Sequence, residues 1–433
     1  MRHQRFLIVL AAVAAWSLSV SADTWAARLD QAAYPYPYDD PYVATTTVAI
    51  MKGRESVPAT DILDRHLLIL SGRDDVNLLE GKGALRYRFY RQRGPAPLIF
   101  IVPGVGSTAY AGSAAYMAEL LAGHGFHVAV LPSPFSWNFT LAASNVGFPG
   151  LVREDSEDLY AAMQRVLGDI KEHYDAQIDK IGMLGLSHGA VYAAYINQID
   201  SQQRRIGLDT YLLVNPPVDL LAAIGKIDEM ADLGREFKAE QKNNLEDYAF
   251  GTAANAMRQD TETPGYFADW DKRLQLTPKQ MKYLIGKAFR TAVGDTLYVI
   301  EQVYRPGLLK TPVSWGYRSG RLEEAREYPV MRYVTTGLIP RLRQRGDSAM
   351  SMETLNEKSS LKYVGTALSG NSKVFLMHNR DDFLVSAEDL EYLEGIFGER
   401  ARIYPHGGHL GNLWHPVNKQ DVVDVFQHMQ RVR

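Results

Sequence analysis

The chain contains no cysteine. Thiol catalysis, cysteine-ligated zinc and lipid attachment through an N-terminal cysteine are therefore excluded. A surplus of charge is also missing, since 47 Lys and Arg stand against 50 Asp and Glu for a formal net charge of −3. With no long basic run, capture of nucleic acid by electrostatics is not expected. Beyond residue 22, no stretch is apolar enough to span a bilayer. What is present is an ordinary globular composition, 46% hydrophobic and 22% charged over 433 residues. That length supports a large core in one elaborated domain or in two to three smaller ones.

Residues 1–22 read separately. Arg2 and Arg5 precede an apolar run from Phe6 to Val20, and small residues follow at Ser21 and Ala22. This is the layout of a secretory signal peptide, with an uncleaved anchor as the alternative. The expected location is periplasmic or secreted. A chain this long can rely on its core rather than on disulfides, so the lack of cysteine does not oppose export.

Residues 23–83 hold "YPYPYDDPYVATTTVAI", where repeated Pro disfavours helix. An extended strap across a domain surface, followed by the first strands, is expected there. From residue 84 strands and helices alternate. "PLIFIVPG", "FHVAVLPSP", "KIGMLG" and "DTYLLVNPP" are continuous apolar runs, as in strands covered on both faces. Between them, Leu159, Met163, Val166 and Ile170 fall on one helical face. The pattern predicts an α/β fold, a mostly parallel sheet with helices on both faces.

The alternation covers residues 84–217, stops over 218–370, and resumes over 371–433. The middle segment carries helix-forming sequence and no comparable strand, so a helical insertion between late strands is expected. Its aromatic residues Tyr248, Phe250, Phe267, Trp270, Tyr283 and Trp315 are expected mostly to pack the insertion's own core.

Chemistry concentrates at Gly185-Leu186-Ser187-His188-Gly189, which sits between a strand and a helix. A sharp strand–turn–helix projects the serine above the sheet, and flanking glycines avoid collision with neighbouring backbone. A serine hydroxyl is a weak nucleophile and needs a base, itself oriented by an acid. Downstream, one strand end offers Asp381 and Asp382, and the next offers His406, His409 and His415.

Together these features resemble the α/β-hydrolase superfamily from about residue 84 onward. The resemblance implies an acid at Asp382, because "HNRDDFLV" follows the family's His-Gly-x-x-Asp-x-x-Val with Asn379 in place of glycine. It implies the catalytic histidine at His409, in Gly-Gly-His. Asp381 then reads as a solvated or loop-capping carboxylate. It places the oxyanion hole at the amides of His188 and Val105, the latter in a loop where Pro103 replaces the usual histidine. It also makes the insertion a lid. The fold hosts esterases, lipases, peptidases and thioesterases, so the resemblance alone does not choose among them. The apolar, aromatic loop "PSPFSWNFTLAASNVGFPG" and the insertion's aromatic residues favour hydrolysis of a lipophilic carboxylic ester of a small-molecule acyl substrate, without cofactor or metal. Peptide or amide hydrolysis, or a non-catalytic binding protein of the same fold, are the alternatives.

Rival motifs are weaker. "GVGSTA" matches a dinucleotide-binding turn, but no acidic residue follows the next strand until Glu154. The spacing of His406, His409 and His415 is interrupted by Gly and Pro, so no helical face presents them to a metal. His188 is expected as a pocket wall and His378 as a structural residue.

Overall fold

The computed structural model describes residue 29 and residues 32–54, 56–70, 83–174, 176–312 and 319–431. The leader-like segment 1–22 and Trp315 lie outside the described residues. Eight strands form one sheet in the order β1-β2-β4-β3-β5-β6-β7-β8. They are β1 (Thr60–Leu67), β2 (Leu85–Gln92), β3 (Leu98–Val102), β4 (His127–Val130), β5 (Ile181–Leu186), β6 (Thr210–Val214), β7 (Val374–Asn379) and β8 (Ala401–Tyr404). β2 runs antiparallel to both β1 and β4, and the other neighbours pair in parallel.

The two-residue period of a strand divides the core in two. Leu98, Phe100 and Val102 of β3 join one cluster with the helices Val152–Tyr174, His188–Gln203 and Ala387–Phe397. Ile99 and Ile101 join the other, with the helices Gly112–Gly123 and Pro416–Arg431. Every residue of β3, β4, β5 and β6 is buried, which explains why their sequences are continuous apolar runs. β1, at the sheet edge, has no fully buried residue.

Between β6 and β7 the described residues form helices and no strand. The longest, Pro278–Val303, begins with a capping box between Thr277 and Gln280 and has Pro at its first position. A third apolar cluster joins Val293, Leu297 and Ile300 of this helix to Tyr333 and Leu338, and to Phe135 and Phe148 from the segment after β4. The insertion is thus fastened to the sheet's C-terminal edge rather than hung from its two ends.

Of its aromatic residues, Tyr283 packs within the insertion as expected, buried and 5.5 Å from the Phe237 ring, but others depart from the expectation. Tyr248 and Phe250 are exposed. Phe267 stacks on Trp414 at 5.0 Å, and Trp270 donates its indole N–H to Thr46 Oγ1 at 3.0 Å. These two bind the insertion to the ends of the chain instead of filling its own core.

The N-terminal segment is part strap and part helix. Tyr34, Tyr36 and Tyr38 are buried while Pro35, Pro37 and Asp39 between them are exposed, an extended alternation. Pro41 then opens a helix, Pro41–Thr46, instead of preventing one. At the first helical position its missing N–H costs nothing, and Asp40 caps the turn by accepting the N–H groups of Tyr42 and Val43.

Candidate active site

The C-terminal ends of β5, β7 and β8 bring the candidate residues together. Ser187 follows β5 directly and has φ +56° and ψ −122°, a strained conformation for a residue with a side chain. A Cβ on Gly185 would lie 2.4 Å from the Gly189 carbonyl oxygen, and one on Gly189 would lie 2.0 Å from that of Val102. Both motif glycines are therefore required by close backbone approach. Ser187 N–H donates to Val214 O at 2.8 Å, which ties the turn to β6.

His409 lies in the loop after β8. Its Nε2 is 2.8 Å from Ser187 Oγ, and its Nδ1 is 2.9 Å from Asp382 Oδ2. All three side chains are buried. Asp382, after β7, also accepts Asn215 Nδ2 at 2.8 Å and the Leu384 N–H at 3.0 Å. Burial pushes the Asp382 carboxyl upward, but the charge and hydrogen bond of His409 outweigh it and hold the group below its ordinary value. An ionised acid, an imidazole and a hydroxyl thus stand in one hydrogen-bonded line.

Asp381 faces elsewhere. Its carboxylate accepts the N–H groups of Gly407 at 3.2 Å and Gly408 at 2.9 Å, immediately before His409. Burial pushes it up to about 6 despite these two donors. It holds the histidine loop, and His409 is paired with its neighbour.

Val105 and His188 border the same cavity as Ser187, His188 as the next residue in the chain. Val105 sits between Gly104, whose added Cβ would touch Ser187 Cβ at 3.2 Å, and Gly106, whose N–H donates to Phe135 O at 2.7 Å. The His188 amide is in the first turn of its helix, where no intrahelical acceptor exists. The His188 ring lines the cavity beside Ser187, 4.4 Å from the Tyr192 ring, and burial lowers it to about 4. It is a neutral wall at any ordinary pH.

The remaining histidines have other surroundings. His378 is fully buried, with Nδ1 accepting the Asn379 N–H at 2.9 Å and Nε2 3.2 Å from Pro216 O. His406 is 3.7 Å from Asp39 and 4.0 Å from Asp381. His415 packs edge-on against Tyr34, with ring centres 4.9 Å apart. Among the described residues no group of three or more His, Asp or Glu side chains is placed to hold a metal ion.

Several supporting residues carried no signal in the sequence. Thr45 Oγ1 accepts the His409 backbone N–H at 2.9 Å. Asn379 Nδ2 donates to Gly408 O at 2.7 Å and pairs with Asn412, whose amide also donates to Tyr34 OH at 2.8 Å. Asn379 stands where the related motif has glycine, and its amide fills that space with contacts to the histidine loop.

No family model matches the chain, and no curated protein matches it. Solved structures of similar shape include an esterase of Pyrococcus furiosus, at 11% identity over 87% of this chain and 99% of that one, with a TM-score of 0.39. Another is a bacterial brefeldin A esterase described as a homologue of human hormone-sensitive lipase, at 15% identity over 92% and 88%, with a TM-score of 0.43. A third is an acylaminoacyl peptidase of Pyrococcus horikoshii, at 11% identity over 87% of this chain and 42% of that one, with a TM-score of 0.42. The sheet order and the strained serine turn that follows β5 identify the chain as having the α/β-hydrolase fold.

Proposed function

We propose that this protein is an exported serine hydrolase that cleaves a lipophilic carboxylic ester through an acyl-enzyme intermediate. The observation that carries the reading is the buried line from Ser187 Oγ to His409 Nε2, at 2.8 Å, and from His409 Nδ1 to Asp382 Oδ2, at 2.9 Å. His409 Nε2 takes the hydroxyl proton as Ser187 Oγ bonds to the ester carbon. Asp382 fixes the tautomer and stabilises the imidazolium that forms. The carbonyl oxygen, now anionic, is received by the N–H groups of Val105 and His188, each such donor being worth about 3–4 kcal/mol in the transition state. His409 then gives its proton to the departing alcohol oxygen as the C–O bond breaks. A water, deprotonated by the same nitrogen, then bonds to the acyl carbon, and the acid leaves as the C–Oγ bond breaks and Ser187 Oγ takes the proton back from His409.

The insertion acts as a cap in this reading, since Ile224, Ile227 and Phe289 border the space beside Ser187. Export is supported by the basic, apolar and small-residue layout of residues 1–22. The decisive experiment is labelling of the purified protein with a fluorophosphonate, followed by peptide mapping. Label on Ser187, lost in Ser187→Ala with the fold intact by circular dichroism, is the expected result. A folded protein that takes no label would instead be a binding protein.

A further inference from the structure

Ser187 separates two spaces of different size and chemistry. One is a narrower, more closed cavity of about 60 Å³ whose walls, among them Leu220, Ile224, Ile227 and Tyr333, are almost wholly apolar. The other is a wider cleft of about 330 Å³, bordered by Thr45, Ser107, Trp270, Leu274 and His409. Ser187, Val105 and Phe289 border both. The His188 ring borders only the narrower cavity, and His409 only the cleft.

This asymmetry orients an ester. The alcohol oxygen must receive its proton from His409 Nε2 as the bond to the acyl carbon breaks, so the alcohol lies on the His409 side. With the carbonyl oxygen directed at the Val105 and His188 amides, the acyl chain is left to enter the narrower cavity. We infer that the substrate is an ester of a small, uncharged acid with a bulkier alcohol, the acid seated among Leu220, Ile224 and Ile227 and the alcohol between Thr45 and Trp270. The inference rests on the ester-hydrolase reading above.

Size sets the limit on the acid. A cavity of about 150 Å³ takes up a benzene-sized guest. By the same comparison a space of about 60 Å³ holds about two to three carbons, which with the carbonyl carbon at Ser187 makes an acyl group of about four carbons or fewer. Charge is excluded as well. A carboxylate in that cavity would lose its water and meet no cation, because burial keeps the His188 ring neutral. The cleft is less restrictive, since it is larger and its walls mix hydroxyls of Thr45, Ser107 and Ser113 with apolar Leu274 and Trp270.

Two series of esters on the full chain test the assignment. The first keeps p-nitrophenol and lengthens the acid from acetate through butyrate and octanoate to decanoate. The second keeps acetate and enlarges an alkyl alcohol of constant acidity, from ethyl through hexyl to 2-naphthylethyl. Expected is a fall of at least 100-fold in kcat/KM from butyrate to decanoate, and a rise of at least tenfold from ethyl to naphthylethyl acetate. Ile227→Ala should raise the octanoate-to-butyrate ratio at least tenfold. Ala253→Trp, in the cleft wall, should lower the naphthylethyl-to-ethyl ratio without moving the acyl ratio. Preference for decanoate, or an acyl ratio that responds to Ala253→Trp and not to Ile227→Ala, overturns the inference while leaving an ester hydrolase standing. Absence of turnover on every ester together with absence of fluorophosphonate labelling overturns the underlying reading.

Discussion

Thr45 Oγ1 accepts the backbone N–H of His409 at 2.9 Å while donating its own proton to Pro41 O at 2.6 Å. One hydroxyl from the N-terminal helix therefore fixes the height of the imidazole that faces Ser187. Losing it should let the loop shift by a fraction of an ångström, and a misplacement of about 1 Å can cost roughly 100-fold. Thr45→Val is expected to lower kcat by about 10–100-fold, and Thr45→Ser to restore most of it. Steady-state kinetics decide the matter, because a general loss of folded protein would lower kcat in both variants alike.

The adjacent carboxylates differ in role, so their amide variants should differ in effect. Asp382→Asn removes the acceptor that fixes the His409 tautomer, and a drop of about 10⁴-fold in kcat is expected. Asp381→Asn keeps a carbonyl oxygen for the Gly407 or Gly408 N–H, so less than a tenfold change is expected. Turnover of a soluble ester by both variants checks the ranking, and the reverse order would place the triad acid one residue upstream.

Asp381 also links stability to pH. Its folded value, about 6, lies above the ordinary carboxylate value of 3.8. Whatever stability this shift contributes is fully present below the unfolded value and is lost as pH rises through about 6. Asp381→Asn should therefore gain on the wild type between pH 4 and pH 7. A shift of this size corresponds to at most about 3 kcal/mol, reduced because the group retains some solvent contact. Urea unfolding at the two pH values measures it, and a difference that shrinks with rising pH would contradict the sign.

Restoring the motif's glycine should harm this protein. Asn379→Gly would leave Gly408 O and the Asn412 side chain without their buried partner. Asn412 keeps its bond to Tyr34 OH and Gly408 O keeps a 3.5 Å contact with Asn215 Nδ2, so a loss of about 1–3 kcal/mol is expected in chemical denaturation. A stability equal to wild type would mean that the asparagine network is incidental.

Gly189→Ala is expected to yield no folded protein, since the new methyl carbon would meet Val102 O at 2.0 Å and Pro103 O at 2.7 Å. Soluble expression and far-UV circular dichroism provide the check.

The sheet and the serine turn were legible because their signals are local. Continuous apolar runs mark β3 to β6, and Gly185 to Gly189 lies within a few residues of the strand and helix that confer meaning on it. The partners Asp382 and His409 were legible only through strand-end position and a family-like motif. Thr45, Asn215 and Asn412 were not legible, because each acts through a polar contact with a residue far along the chain. A lone Thr or Asn has the same local appearance whether it supports a catalytic loop or faces water. Phe250 illustrates the opposite error. Its apolar character suggested core, yet single exposed apolar residues are normal on protein surfaces.

The hydrogen bond from His409 to Thr45 joins residues 364 positions apart, and the one from Tyr34 to Asn418 joins residues 384 apart. Contacts of such range impose a chronology on maturation. While the ribosome is still delivering the last strand and helix, Ser187 has already emerged but His409 has not, so the hydrogen bond between them cannot yet form. The surroundings of His409 are therefore complete only once the first described segment and the last loop have been brought together.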